Sequence, residues 1–247
     1  MKLTSKDIVR ACCRAIYLWE FGDDDIAPND RLSDRELFNI FSCKWANHKK
    51  SNRPIKYSSS QLKALIKNCK IRTTQISNPN NPRIATYLTQ PTIVSKNAQD
   101  TYYSVLDRSN TVYSNPIRLR TRWEYGREFT KELAVELNAR STNRRGGVQR
   151  AYASRILFFA LPEIHIYNYS EPLIKNLKKD YGLQGDTVDE VFELMNDLFV
   201  THEKELKKLP RPKFGKGGTE IKKGDWWERR VLDLAVLQNW NCFCVEK

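Results

Sequence analysis

Asn168 stands between two tyrosines, Tyr167 and Tyr169, at the far end of the stretch RRGGVQRAYASRILFFALPEIHIYNY that covers residues 144–169. The near end is basic and glycine-containing. Gly146 and Gly147 let the backbone approach another surface closely and can take φ > 0. The amides that open the following helix lack intrahelical partners and attract anions. Arg144, Arg145 and Arg150 add positive charge at the same point, and Gln149 adds a hydrogen-bonding side chain. A phosphate suits such a segment. At the far end, the Asn168 amide carries no charge, but its oxygen can hold a water. Tyr167 and Tyr169, with Trp226 and Trp227, are rings on which a base could stack. The same residues also have plainer uses. Asn168 ahead of Ser170-Glu171-Pro172 fits a helix N-terminus, and the four aromatics fit a core.

Carboxylates that could join Asn168 are sought in the loop GDDDIAPND, where Asp23, Asp24, Asp25 and Asp30 form the obvious reservoir; a solvated turn is the alternative. Glu220-Ile221-Lys222 has the E-x-K form of a metal-dependent nuclease site. That motif belongs on a strand, and here it lies in a Gly/Lys-rich loop. Six cysteines include no CxxC pair, and His48, His165 and His202 are far apart. No zinc or iron–sulfur site is expected, and no metal or organic cofactor.

Helices must position these groups. Residues 5–20 place Ile8, Ala11, Cys12, Ala15, Ile16 and Trp19 at helical spacing. Ser33 begins a capping-box pattern, S-D-R-E, that leads into Leu37, Ile40, Phe41 and Trp45. Further helices are predicted at 59–69, 126–139, 147–161 and 171–181. Another starts at Thr187, with Val188, Val191, Phe192, Met195, Leu198 and Phe199 on one stripe. Residues 70–122 carry Pro79, Pro82, Pro91 and Pro116, and read as loops with a short helix near 97–107 and at most small strands. A basic Pro/Gly linker runs from Lys207 to Asp225, with Lys213 and Lys216 around Phe214, and could track a nucleic-acid strand. The final helix, WWERRVLDLAVLQNW, should return to the core. The fold class expected is mainly α, with no strand–helix alternation.

Bulk composition narrows the partners. A 247-residue chain with 40% hydrophobic residues is long and apolar enough for a buried core. Lys and Arg number 42 against 29 Asp and Glu, a net charge of +13, which points to a polyanion and first to nucleic acid. No apolar run reaches the ~20 residues that a membrane span needs. The N-terminus is too polar for a signal peptide, so a cytoplasmic, reduced-thiol setting without membrane contact is expected.

GVQRAYASRILFFALPEIHIYNYSEPL resembles the core of the helix-hairpin-helix DNA glycosylase superfamily, notably its 8-oxoguanine-glycosylase-like and archaeal-type branches, and GDWWERRVLDLAVL resembles the closing helix of bacterial members. The likeness covers about a third of the chain. It implies a single glycosylase-like unit of two helical lobes. Residues 1–125 would hold the N-terminal helices and a pocket-forming insertion, 126–206 the core, 207–224 the basic loop and 225–247 the closing helix. The hairpin would grip the DNA backbone, and the loop after the next helix would present an Asp to the sugar. This chain departs twice. Asn168 stands where that Asp is expected, and Ala151 stands where bifunctional members carry a Schiff-base Lys.

The resemblance therefore implies a monofunctional DNA glycosylase that extrudes a damaged or modified base from duplex DNA and leaves an abasic site. Hypermodified pyrimidines of phage DNA, removed in antiviral defence, are a substrate class it suggests. Asn168, with Asp24 or Asp25, would be the catalytic set. Arg144, Arg145, Gly146, Gly147, Gln149, Arg150, Lys213 and Lys216 would hold DNA, and Tyr167, Tyr169, Trp226 and Trp227 the base. A monomer is expected. The rival readings are a DNA binder that has lost its chemistry, which Ala151 and Asn168 would equally suit, and a Mg-dependent nuclease.

Overall fold

Capping chemistry written into the sequence starts three of the helices. Thr4 and Asp7 close a reciprocal capping box ahead of α1, Ser5–Phe21. Ser33 and Glu36 do the same for α2, Asp34–Phe38, and Thr187 and Glu190 for α6, Val188–Leu206. In each, two otherwise orphaned amides are satisfied by side chains. Between them lie α3, Arg122–Asn138, α4, Gly146–Ala160, and α5, Glu171–Tyr181; α7, Trp226–Leu237, closes the series. The computed structural model describes residues 3–26, 28, 31–39, 104, 108, 122–138, 146–213 and 225–238.

Among the described residues the fold is all helix, with no strand. The helices expected at 5–20, 126–139, 147–161, 171–181 and from Thr187 are present within a few residues of those bounds. Those at 59–69 and 97–107, and any strands in 70–122, lie outside the described residues apart from Ser104 and Arg108, which are both helical. No helix among the described residues is long and apolar enough to cross a membrane. Nor do they contain a His/Cys/Asp/Glu group suited to a metal. Cys12 is a core thiol, pushed up to about 12 by burial.

The core is organised around α7. This helix packs along α1 and also touches α5 and α6, while α3 and α4 pair with each other. Trp226 is fully buried in an aromatic cluster, with its ring centroid 5.9 Å from Trp19, 5.2 Å from Phe38 and 5.1 Å from Phe158. Its indole N–H donates to the Phe158 carbonyl at 2.8 Å, so α7 is tied to the last turn of α4. Trp227 is buried on another side and donates to the Pro210 carbonyl at 3.0 Å. Every residue of α7 from Trp226 to Val236 is buried, including Glu228, Arg229, Arg230 and Asp233. Buried charge is tolerable only when paired. Arg230 meets Asp34 of α2 at 2.6 Å, and Glu228 is paired with Arg211. The other two charged residues face the loop between α4 and α5.

Candidate functional site

That loop carries Asn168, and three helices clamp it. From α7, the Arg229 guanidinium donates to the carbonyls of Ile166 at 2.9 Å and Pro162 at 2.7 Å. On α4, the Ser154 hydroxyl accepts the Tyr169 N–H at 2.9 Å. From α3, Gly126 lies flat against the loop, and a Cβ there would sit 2.2 Å from the His165 carbonyl oxygen. Only a glycine permits so close an approach. The next helix is capped by Ser170, with Pro172 in its first turn, so Asn168 is released from any capping duty.

The Asn168 amide is instead joined to Asp233 of α7: its Nδ2 donates to the carboxylate Oδ2. Asn168 is 5% exposed and Asp233 fully buried. The remaining oxygen of each, Oδ1, is buried without a donor among the described residues. Burial pushes the Asp233 carboxyl up to about 7. Arg230, the bond from Asn168, Arg155 of α4 and Arg229 all pull it down, and prevent a larger rise. Its proton is therefore exchangeable near neutral pH. Nearby, burial drives His165 down to about 4, although Asp225 lies 3.7 Å from its Nε2, so this imidazole is neutral at pH 7.

The residues proposed from sequence are only partly brought together. Asp24 and Asp25 do not supply the carboxylate to Asn168. Asp24 pairs with Arg14 of α1 at 3.0 Å, and the Asp25 amide donates to Asp23 within the same exposed turn. The acid bonded to Asn168 comes from the closing helix, 65 residues further on. Gly146 and Gly147 form the first turn of α4 itself and take no left-handed conformation. The expected bend is therefore helix, and Gln149 shares that turn. Arg150, expected on phosphate, is half-buried, and its Nη1 lies 3.4 Å from the Tyr169 hydroxyl and 3.4 Å from the Asp186 carbonyl. Lys213 is exposed. Arg144, Arg145, Lys216, Glu220 and Lys222 lie outside the described residues.

The four rings expected to receive a base are core residues here. Tyr167, Trp226 and Trp227 are at most 1% exposed, and Tyr169 is 4% exposed. Tyr167 packs edge-on to Phe192, while the Tyr169 hydroxyl donates to the Asp186 carbonyl. Their apolar area is already spent on neighbouring helices, so none offers a free face.

Asp233, Arg229 and Ser154 were not singled out from sequence. A signal for the first two exists. On a helical projection, Arg229 and Asp233 fall to one side of Trp226 and Arg230 to the other, so the charged stripe of α7 has a tryptophan at its centre. A solvated face has no use for that residue, which argues for buried, partnered charge. No protein-family model matches this chain, and neither does any curated protein or solved structure.

Proposed function

We propose that the chain is a DNA-binding protein that removes an extruded base by hydrolysis, acting as a monofunctional DNA glycosylase of helix-hairpin-helix type. The observation that carries the reading is the Asn168–Asp233 pair. A carboxylate can only accept when ionised, so the Asn168 amide is held with its N–H side toward Asp233 and its carbonyl oxygen left over. That oxygen has no donor among the described residues, on a loop held by α3, α4 and α7. Such an oxygen suits a water. In the reaction the water donates to Asn168 Oδ1 while its oxygen bonds to C1′. The C1′–N bond breaks and its electron pair leaves with the base. The proton that the attacking water sheds passes through solvent to the departing base, because the Asn168 amide oxygen accepts a hydrogen bond but does not take up a proton. Ala151 supplies no amine in the second turn of α4, so water is the nucleophile that remains.

An amide stabilises a cationic sugar less than a carboxylate, which favours substrates whose base leaves readily; modified pyrimidines of phage DNA are proposed separately, as bulky bases that a polar pocket could accept. The net charge of +13 and the exposed Lys213 support a polyanionic partner. With Asn168 5% exposed, a nucleotide reaches it only after the residues above it part on binding DNA.

The burial of Asn168, Tyr167, Tyr169, Trp226 and Trp227 favours a second reading, a DNA binder without chemistry. One experiment separates them. Duplexes carrying damaged, mismatched and hypermodified bases are incubated with the protein in chelator, then treated with alkali to reveal abasic sites. The glycosylase reading expects cleavage on at least one duplex, abolished in Asn168→Ala with DNA affinity retained. Tight low-salt binding with no abasic sites on any duplex establishes the binder, and activity of Asn168→Ala equal to the wild type removes Asn168 from the centre.

A further inference from the structure

We infer that Asp233 is the positioning residue of this site: through its bond to Nδ2 it fixes the Asn168 amide and returns to the pair the negative charge that an amide alone lacks. The inference rests on the base-excision reading above, and goes beyond it by assigning a residue on the closing helix that need never touch DNA. The geometry fits such a role. Asp233 is fully buried behind Asn168, and its carboxylate contacts the amide directly. Held by Arg229 on the same helix face, the loop cannot slide away from α7 while the bond persists.

An ionised Asp233 withdraws the amide proton toward itself, and so leaves Asn168 Oδ1 more negative and a better acceptor for water. A protonated Asp233 does this less and can also turn its own O–H toward the amide oxygen, which then no longer serves a water. Among the described residues, the charged groups facing Asp233 are Arg229 and Arg230 on its own helix and Arg155 on α4, and the titratable Tyr167 hydroxyl of the loop also interacts with it. Arg230 is shared with Asp34 of α2. All three cations keep the carboxyl titratable near neutrality against the effect of burial. Activity therefore belongs to the ionised form, and rises with pH.

The test has two arms on the full chain. In the first, the side-chain amide signals of Asn168 are followed by NMR from pH 5 to 9, assigned by their disappearance in Asn168→Ala. They are expected to shift with a midpoint near 7 in the wild type, and to stay still over this range in Asp233→Asn. Amide signals that do not move in the wild type overturn the inference whatever the activity. In the second, single-turnover abasic-site formation is measured on DNA whose cytosines are replaced by hydroxymethylated or glucosylated pyrimidines, and on the duplex panel above. The wild-type rate is expected to rise about tenfold per unit below the midpoint and then level off. Asp233→Asn is expected to be slower by about ten- to a hundredfold, with a flat profile. An active wild type with an unchanged rate and profile in Asp233→Asn overturns this inference alone. A wild type that makes no abasic sites on any of these DNAs overturns the glycosylase reading, and the catalytic role of the pair falls with it.

Discussion

Replacing Asp233 by Asn removes a buried titratable group while keeping a partner of the same shape for Asn168, and the consequence for stability can be worked out with its sign. In the folded chain this carboxyl is pushed from its ordinary 3.8 up to about 7. Its stabilising contribution is therefore complete below pH 4, where both states are protonated, and is lost as pH rises through 7, where a bare carboxylate must stay buried. Integrating between pH 5 and pH 8 gives a loss of about 2–3 kcal/mol from this group. His165 works in the opposite direction. Its folded value is held down at about 4 against an ordinary 6.5. Its contribution is present above 6.5 and fades as pH falls toward 4, by about 2 kcal/mol at pH 5. The two nearly cancel in the wild type over this window. Asp233→Asn uncovers the histidine: the variant should gain about 2 kcal/mol between pH 5 and pH 8. Its stability difference from the wild type should grow by about 2–3 kcal/mol in its favour over the same range. Urea unfolding at four pH values, followed by tryptophan fluorescence, measures this directly, provided the m-values agree. A difference between the two proteins that is independent of pH refutes the reasoning, because the carboxyl then titrates alike in both states.

Gly126→Ala places a Cβ 2.2 Å from the His165 carbonyl oxygen. The loop or α3 must then shift, at a cost of about 1–3 kcal/mol; an unchanged thermal midpoint would show that the loop has room. Arg229→Met keeps the bulk but strands the carbonyls of Ile166 and Pro162 without their donor, and should destabilise by roughly 2–6 kcal/mol in urea. A loss under 1 kcal/mol would mean that the loop is held by other contacts. Thr187→Ala opens the capping box of α6 and is expected to cost about 1 kcal/mol, read by the same melts. Arg144→Ala with Arg145→Ala should weaken binding to all DNA sequences and reduce the salt slope by about 2; an unchanged slope takes both off the phosphate backbone.

Much of the secondary structure is local, and so could be read ahead of the fold. Thr187 with Glu190, and Ser33 with Glu36, carry their capping geometry within four residues. The apolar stripe of α6 has the helical period in its spelling. The candidate amide was also visible, since Asn168 sits between a helix exit and the Ser170 cap that opens the next. Its environment was not. Asp233 lies 65 residues away, and the Asp24 and Asp25 loop, whose triple aspartate attracts attention, turns out to be occupied by Arg14 of α1.

The reason lies in what each property depends on. Helix ends and periodicity follow from the torsions and side chains of a few consecutive residues, so the chain order of Thr187 to Glu190 is enough to specify them. Whether Trp226 stacks on a base or fills the core, and which acid reaches Asn168, depends on how α7 is seated against α1, α4 and the 162–168 loop. That seating is a collective outcome of packing, and burial then sets the protonation of Asp233 by stripping water from its carboxylate.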